Sequence, residues 1–256
     1  MSIRKFELTT DFITVLGIKL FRIKALIEFG NVEAGELGGY VEKEENLSQG
    51  DNAWVYDDAR VYGNAEVYDN AKVYGNAKVC GDAEVYDNAR VYGNAKVCGD
   101  ARVYGNAKVC GDAWVCGDAE VYDNARVYGN AKVCGYAEVY GNAEVCGDAE
   151  VYGNAKVCGY AEVCGDAEVY GNAEVCGDAK VLKRTHLLTV GAIGSRNDFT
   201  TFFRTKDKEI FVKCGCFKGN IDKFEKTVEE THKGTKHEQT YKTAIALAKL
   251  QIDLED

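Results

Sequence analysis

At 256 residues and 46% hydrophobic content, the chain has the length and apolar fraction of one or two folded domains, which excludes a disordered polypeptide. A formal net charge of −10 repels nucleic acid and anionic membrane from the molecule as a whole, so any anion site has to be a local patch. Proline is absent, which suits a backbone whose amides are committed to hydrogen-bonded ladders.

The N-terminal stretch MSIRKFELTTDFITVLG lacks the continuous apolar core of a signal peptide, and nowhere do 18 apolar residues run together. A cytoplasmic protein without membrane contact is expected. Eleven cysteines are present, an odd number, and nine fall at one repeat position; they read as reduced thiols, not as a disulfide framework. Residues 1–50 hold the strand-like run FITVLGIKLFRIKALIEF followed by the turn-rich GELGGYVEKEENLSQG. This segment is expected to be a small N-terminal β cap.

From Ala53 to Ala179 an alanine stands at every sixth position, with a valine two residues after each from Val55 to Val181, making 22 hexads of the form A-x-V-(Y/C)-(G/D)-(N/D). A helix turns about 600° per hexad, so alanine and valine would define no face on it. On a strand they point to one side and the charged x points to the other. The residue before each Asn or Asp at the corner is Gly or Asp, types that tolerate positive φ. Each hexad therefore reads as a short strand plus a bend.

The pattern in Val73-Tyr74-Gly75-Asn76-Ala77-Lys78 resembles the hexapeptide-repeat family. The resemblance covers residues 51–182 and implies an all-β solenoid, a left-handed parallel β-helix with three hexads per coil, about seven coils here, usually assembled as a homotrimer. Residues 18 apart in sequence would then stack about 4.8 Å apart.

Residues 183–256 read as a C-terminal α+β cap. TTFFRT and EIFVKCGCF, around Lys206-Asp207-Lys208, predict a β-hairpin. Asn220-Ile221-Asp222-Lys223-Phe224 opens a helical pattern, and a second helix is expected from Tyr241 to Leu254 with Ala244, Ala246, Leu247 and Leu250 on one face. Both flanks resemble those of hexapeptide-repeat proteins from bacteriophages and Gram-positive bacteria, a resemblance that implies a fold and no activity.

The x positions sort into columns. Lys72, Arg90, Lys108 and Arg126 form one basic column, and Arg60, Lys78, Lys96, Trp114 and Lys132 form a second. Glu66, Glu84, Glu120 and Glu138, interrupted by Arg102, form an acidic third. Like charges on neighbouring strands oppose one another, so compensation from outside the monomer is expected. In a parallel trimer Lys72, Arg90, Lys108 and Arg126 would meet Glu66, Glu84, Glu120 and Glu138 of a neighbour. Alternatively Arg90, Lys96, Lys108, Trp114 and Arg126 would bind a small phosphate-bearing ligand, with the arginines as phosphate forks.

Catalytic chemistry finds little support. Hexapeptide-repeat acyltransferases use a histidine base between subunits, whereas His186, His232 and His237 all lie outside the repeat and read as cap or surface residues. The γ-type carbonic anhydrases need three histidines on zinc, and the coils have none. Cys80, Cys98, Cys116 and Cys134 form a predicted straight column, which is no tetrahedral zinc site, although a stacked pair falls near disulfide spacing. The Cys214-Gly215-Cys216 pair is likewise not read as a metal site. Asp82, Asp100 and Asp118 stack at a corner, where hydrogen bonds to backbone amides are expected over a calcium site. No catalytic residue, metal or cofactor is assigned. The reading is a non-catalytic structural or interaction rod that self-assembles, with an acyltransferase-like enzyme and a nucleotide-binding phage protein as alternatives.

Overall fold

A computed structural model describes residues 4–255. Each hexad folds as a two-residue strand, x then Val, from Trp54–Val55 to Lys180–Val181. These strands form three parallel sheets of a β-solenoid in which every residue pairs with the one 18 positions on, as Arg90 does with Lys108 and Lys96 with Trp114. Stacked Ala and Val side chains fill the interior with essentially no exposure.

Coil corners are built as the composition requires. Corner glycines lie at positive φ, for example +75° at Gly99, and aspartates at the same position share this conformation, with φ of 57° at Asp87. The aspartates offset the strain with a side-chain bond. Asp87 Oδ2 accepts the Gly105 N–H at 3.1 Å and Asp123 Oδ2 that of Gly141 at 3.2 Å. The following Asn or Asp also continues the ladder, as in Asn94 N–H to Gly111 O at 2.8 Å.

The N-terminal segment is a hairpin of Phe6–Val15 and Ile18–Ala25, followed by strand Leu37–Val41. That third strand is antiparallel to the hairpin and parallel to Arg60–Val61, so one sheet runs from the hairpin onto the solenoid. Val41 pairs with Val61 and Leu47 with Val67, an offset of 20 where the coils use 18. Trp54 occupies an x position yet is fully buried, held edge-on by Phe6 and Phe29. The N-terminal segment thus covers the outer face of the first coil at this point.

At the other end the expected hairpin, Asp198–Arg204 with Ile210–Cys214, is the centre of a four-stranded antiparallel sheet completed by Leu187–Ile193 and Phe217–Asn220. Phe203 joins the solenoid core and Ala179 bridges to Thr205, so this sheet stoppers the last coil. Helix α1 (Ile221–His232) starts at an Asn220 cap whose side chain accepts the Lys223 N–H. Helix α2 (Lys236–Gln251) starts earlier and ends earlier than the sequence suggested, because Thr235 caps it by accepting the Glu238 N–H. Its buried face is Tyr241, Ala244, Ile245 and Ala248. This corrects the predicted face: Leu247 and Leu250 are exposed, since the i, i+3, i+4 spacing against α1 and the sheet selects the other stripe. No helix among the described residues is long and apolar enough to cross a membrane.

Candidate functional site

The register that buries valine turns each x away from the core, so that, apart from Trp54 beneath the N-terminal segment, the surface is three columns. One runs Lys72, Arg90, Lys108, Arg126, Glu144, Glu162, Lys180. The second runs Arg60, Lys78, Lys96, Trp114, Lys132, Glu150, Glu168. The third runs Glu66, Glu84, Arg102, Glu120, Glu138, Lys156, Glu174. The first two are basic in their N-terminal half and then turn acidic, the first closing on Lys180.

The predicted interface residues stand where the spacing put them, Lys72, Arg90, Lys108 and Arg126 on one face and Glu66, Glu84, Glu120 and Glu138 on another. The predicted ligand residues are divided. Arg90, Lys108 and Arg126 share the first face, whereas Lys96 and Trp114 lie around a corner on the second. Part of the charge compensation expected from outside is internal. Arg126 pairs with Glu144 at 2.8 Å, Arg102 with Glu120 at 3.2 Å and Lys156 with Glu138 at 2.7 Å. No ion pair of Lys72, Arg90 or Lys108 is found among the described residues; Arg90 acts on Tyr74 instead, lowering its pKa against the larger effect of burial, which raises it.

Lys72 and Arg90 line a groove of about 390 Å³ with Asn31, Tyr56, Asp57 and Tyr74, which continues past Asn52, Asn70 and Asn88. Two cations, two phenol rings, a row of amides and the Asp57 carboxylate thus share one groove.

Tyrosine stacks were not anticipated. Tyr68, Tyr86, Tyr104, Tyr122 and Tyr140 form a ladder with ring centroids 4.9 to 5.0 Å apart and planes within 3°. Tyr68, Tyr104 and Tyr122 donate their O–H groups to Glu84, Glu120 and Glu138 of the next coil at 2.8, 3.0 and 3.2 Å. Burial and these carboxylates push all three phenols well above their ordinary pKa. The unbroken identity at an 18-residue spacing was the available signal.

Cysteines require a correction. Cys116–Cys134 and Cys146–Cys164 are disulfides, with Cα atoms 4.7 and 4.5 Å apart. Coil stacking alone brings such pairs within disulfide range. Cys80, Cys98, Cys110, Cys158, Cys176, Cys214 and Cys216 remain thiols. The Cys80 S–H and the Trp114 indole N–H, 2.9 Å from the Cys98 sulfur, pull the Cys98 thiol down to about 6 against the effect of its burial.

The histidines are cap residues. His186 is fully buried beneath the last coil, where its Nδ1 accepts the Leu182 N–H at 3.2 Å. Burial, with Arg204 and Lys183 nearby, lowers its pKa. His232 and His237 lie in α1 and α2 with ring centroids 5.9 Å apart.

Residues 83–99 and 119–135 match the family model of the YdcK beta solenoid repeat. Each window opens on the alanine before an acidic-face strand, Glu84 or Glu120, and ends at the corner glycine, Gly99 or Gly135. The match is thus to one coil of the solenoid taken twice. No curated protein matches the chain.

Proposed function

We propose that the chain is a non-catalytic structural rod that recognises a second copy of itself, side by side and antiparallel. What carries this reading is the change of sign along the face of Trp114, basic from Arg60 to Lys132 and acidic at Glu150 and Glu168, with Trp114 the fourth of its seven outward residues. A two-fold axis through Trp114 lays Arg60 against Glu168 of the second copy and Lys78 against Glu150, twice each. The two indoles meet on the axis. Trp114 is 41% exposed, a large apolar side chain that such a contact would cover. Lys96 and Lys132 would oppose each other, with the Lys96 ammonium 5.9 Å over the Trp114 ring; Lys132 pairs with Glu150 at 2.8 Å and Arg184 with Glu168 inside one chain, so Lys78 and Arg60 of the second copy would join pairs already formed.

A parallel assembly, which the family resemblance implies, sets Lys72, Arg90, Arg126, Glu162 and Lys180 at the heights of Glu66, Glu84, Glu120, Lys156 and Glu174, but it also sets Lys108 against Arg102 and Glu144 against Glu138 and leaves Trp114 uncovered.

Light scattering at low and high salt tests the reading. The expected mass is twice that of the chain at low salt, falling towards one chain as salt rises. Trp114→Glu should be monomeric, Arg60→Glu should weaken pairing, and Arg60→Glu with Glu168→Arg should restore it. A salt-indifferent monomer, or a trimer unaffected by Trp114→Glu, overturns it.

The Lys72–Arg90 groove favours a second reading, capture of a small phosphate-bearing ligand. A rise in melting temperature with mononucleotides or inorganic phosphate, lost in Arg90→Glu, would support it.

A further inference from the structure

The tyrosine ladder stops at Tyr140, and the next two residues of the same column are Cys158 and Cys176. Their side chains are buried where the C-terminal sheet covers the last coils, with 7% and 5% exposure. Glu174 stands two residues before Cys176, so its carboxylate approaches the sulfurs from the side of the column. The two sulfurs and a carboxylate oxygen lie within 4.8 Å of one another.

The surroundings fix this carboxylate. Lys213 Nζ donates to Glu174 Oε2 at 2.9 Å and to Gly215 O at 2.6 Å, while Lys218 lies 3.9 Å from Oε1. The Glu174 N–H also donates to Thr201 Oγ1 at 3.2 Å, tying the strand to the cap.

We propose that Cys158, Cys176 and Glu174 form a site for a thiophilic divalent cation of the zinc and cadmium class, placed at the joint between rod and cap. Two thiolates and one carboxylate are a donor set that such ions accept, with a fourth position left for water. A straight column of sulfurs lacks tetrahedral geometry, and the lateral carboxylate supplies the missing direction. Lys213 acts as an outer partner that orients the ligating oxygen.

The ion takes both sulfurs as thiolates, so its binding displaces their protons. The Cys80–Cys98 pair has the same spacing but lies beside Lys78 and Lys96, and among the described residues no carboxylate completes a set there.

The test uses the full chain without added thiol, under anaerobic conditions. Cd²⁺ is titrated and thiolate-to-cadmium charge transfer is followed in the ultraviolet. One saturable equivalent is expected. Cys158→Ser should weaken binding by more than the roughly 10- to 100-fold that even outer-partner substitutions cost, and Glu174→Gln by about tenfold. Cys98→Ser should leave it unchanged. Zn²⁺ should raise the melting temperature of the parent and of Cys98→Ser, but not of Cys158→Ser. If Cys158→Ser fails to fold by circular dichroism, Glu174→Gln carries the test. No charge transfer, binding that follows Cys98 instead, or a Cys158–Cys176 disulfide recovered by peptide mapping would each overturn the proposal.

Discussion

Tyr104 lies flat on Tyr86, centroids 4.9 Å apart and planes 1° apart, and donates its O–H to Glu120 Oε2 at 3.0 Å. The ring thus links its own coil to the one before by stacking and to the one after, which carries both Tyr122 and Glu120, by stacking and a hydrogen bond. Aromatic pairs contribute about 0.5–1.5 kcal/mol beyond burial, and Tyr104 has a stacked neighbour on each side. Tyr104→Ala should lower stability by about 1–3 kcal/mol in urea unfolding. Tyr104→Phe should lose only the hydrogen bond, about 1 kcal/mol.

Gly99 lies at φ +75°, and a Cβ there would sit 3.0 Å from the Gly117 backbone nitrogen. Gly99→Ala should therefore destabilise by about 1–2 kcal/mol from the left-handed backbone alone, with the close contact adding to it. Gly99→Asp should be milder, because its carboxylate can accept the Gly117 N–H as Asp87 accepts that of Gly105. Ranking the two melting temperatures checks this; equal losses would contradict it.

His186 is buried with Nδ1 as an acceptor and its pKa lowered, chiefly by burial. A base with a depressed folded-state pKa leaves the unfolded chain binding more protons, so stability is complete above the unfolded pKa of about 6.5 and declines as pH falls below it. Melting temperature should drop between pH 7 and pH 5. His186→Asn, whose Oδ1 can replace Nδ1, should flatten that slope.

Cys146–Cys164 and Cys116–Cys134 each close one coil. A loop of this size is stabilised by about 3 kcal/mol when cross-linked. Cys146→Ser should therefore lower the urea midpoint measurably, and a reducing agent should lower that of the parent further than that of the variant.

The solenoid was legible because one hexad repeats its chemistry 22 times. Ala53 through Val181 fixed both the inward face and the register, and with them the columns of Arg90, Trp114 and Glu120. The caps lack such redundancy. The pairing of Val41 with Val61 departs from the 18-residue offset, and nothing local announces it. The α2 boundary had a signal in Thr235 and Glu238, a cap with its N3 partner. Cysteine pairing had none. Cys98–Cys116 and Cys116–Cys134 have the same spacing, so spacing cannot select the bonded pair. Nor did spacing reveal that Glu174 approaches Cys158 and Cys176, because that depends on the sheet covering them.

The parallel register of 18 residues makes the rod a ruler graduated in whole turns. Removing residues 95–112 should shorten it by one graduation, about 4.8 Å, and leave the two ends facing as before. Removing only residues 95–100 would shorten it by a third of that and swivel everything downstream by a third of a revolution. The first deletion would preserve the charge columns, and the second would splice a basic column onto an acidic one. Length in this chain is therefore free to change only in steps that keep its bearing.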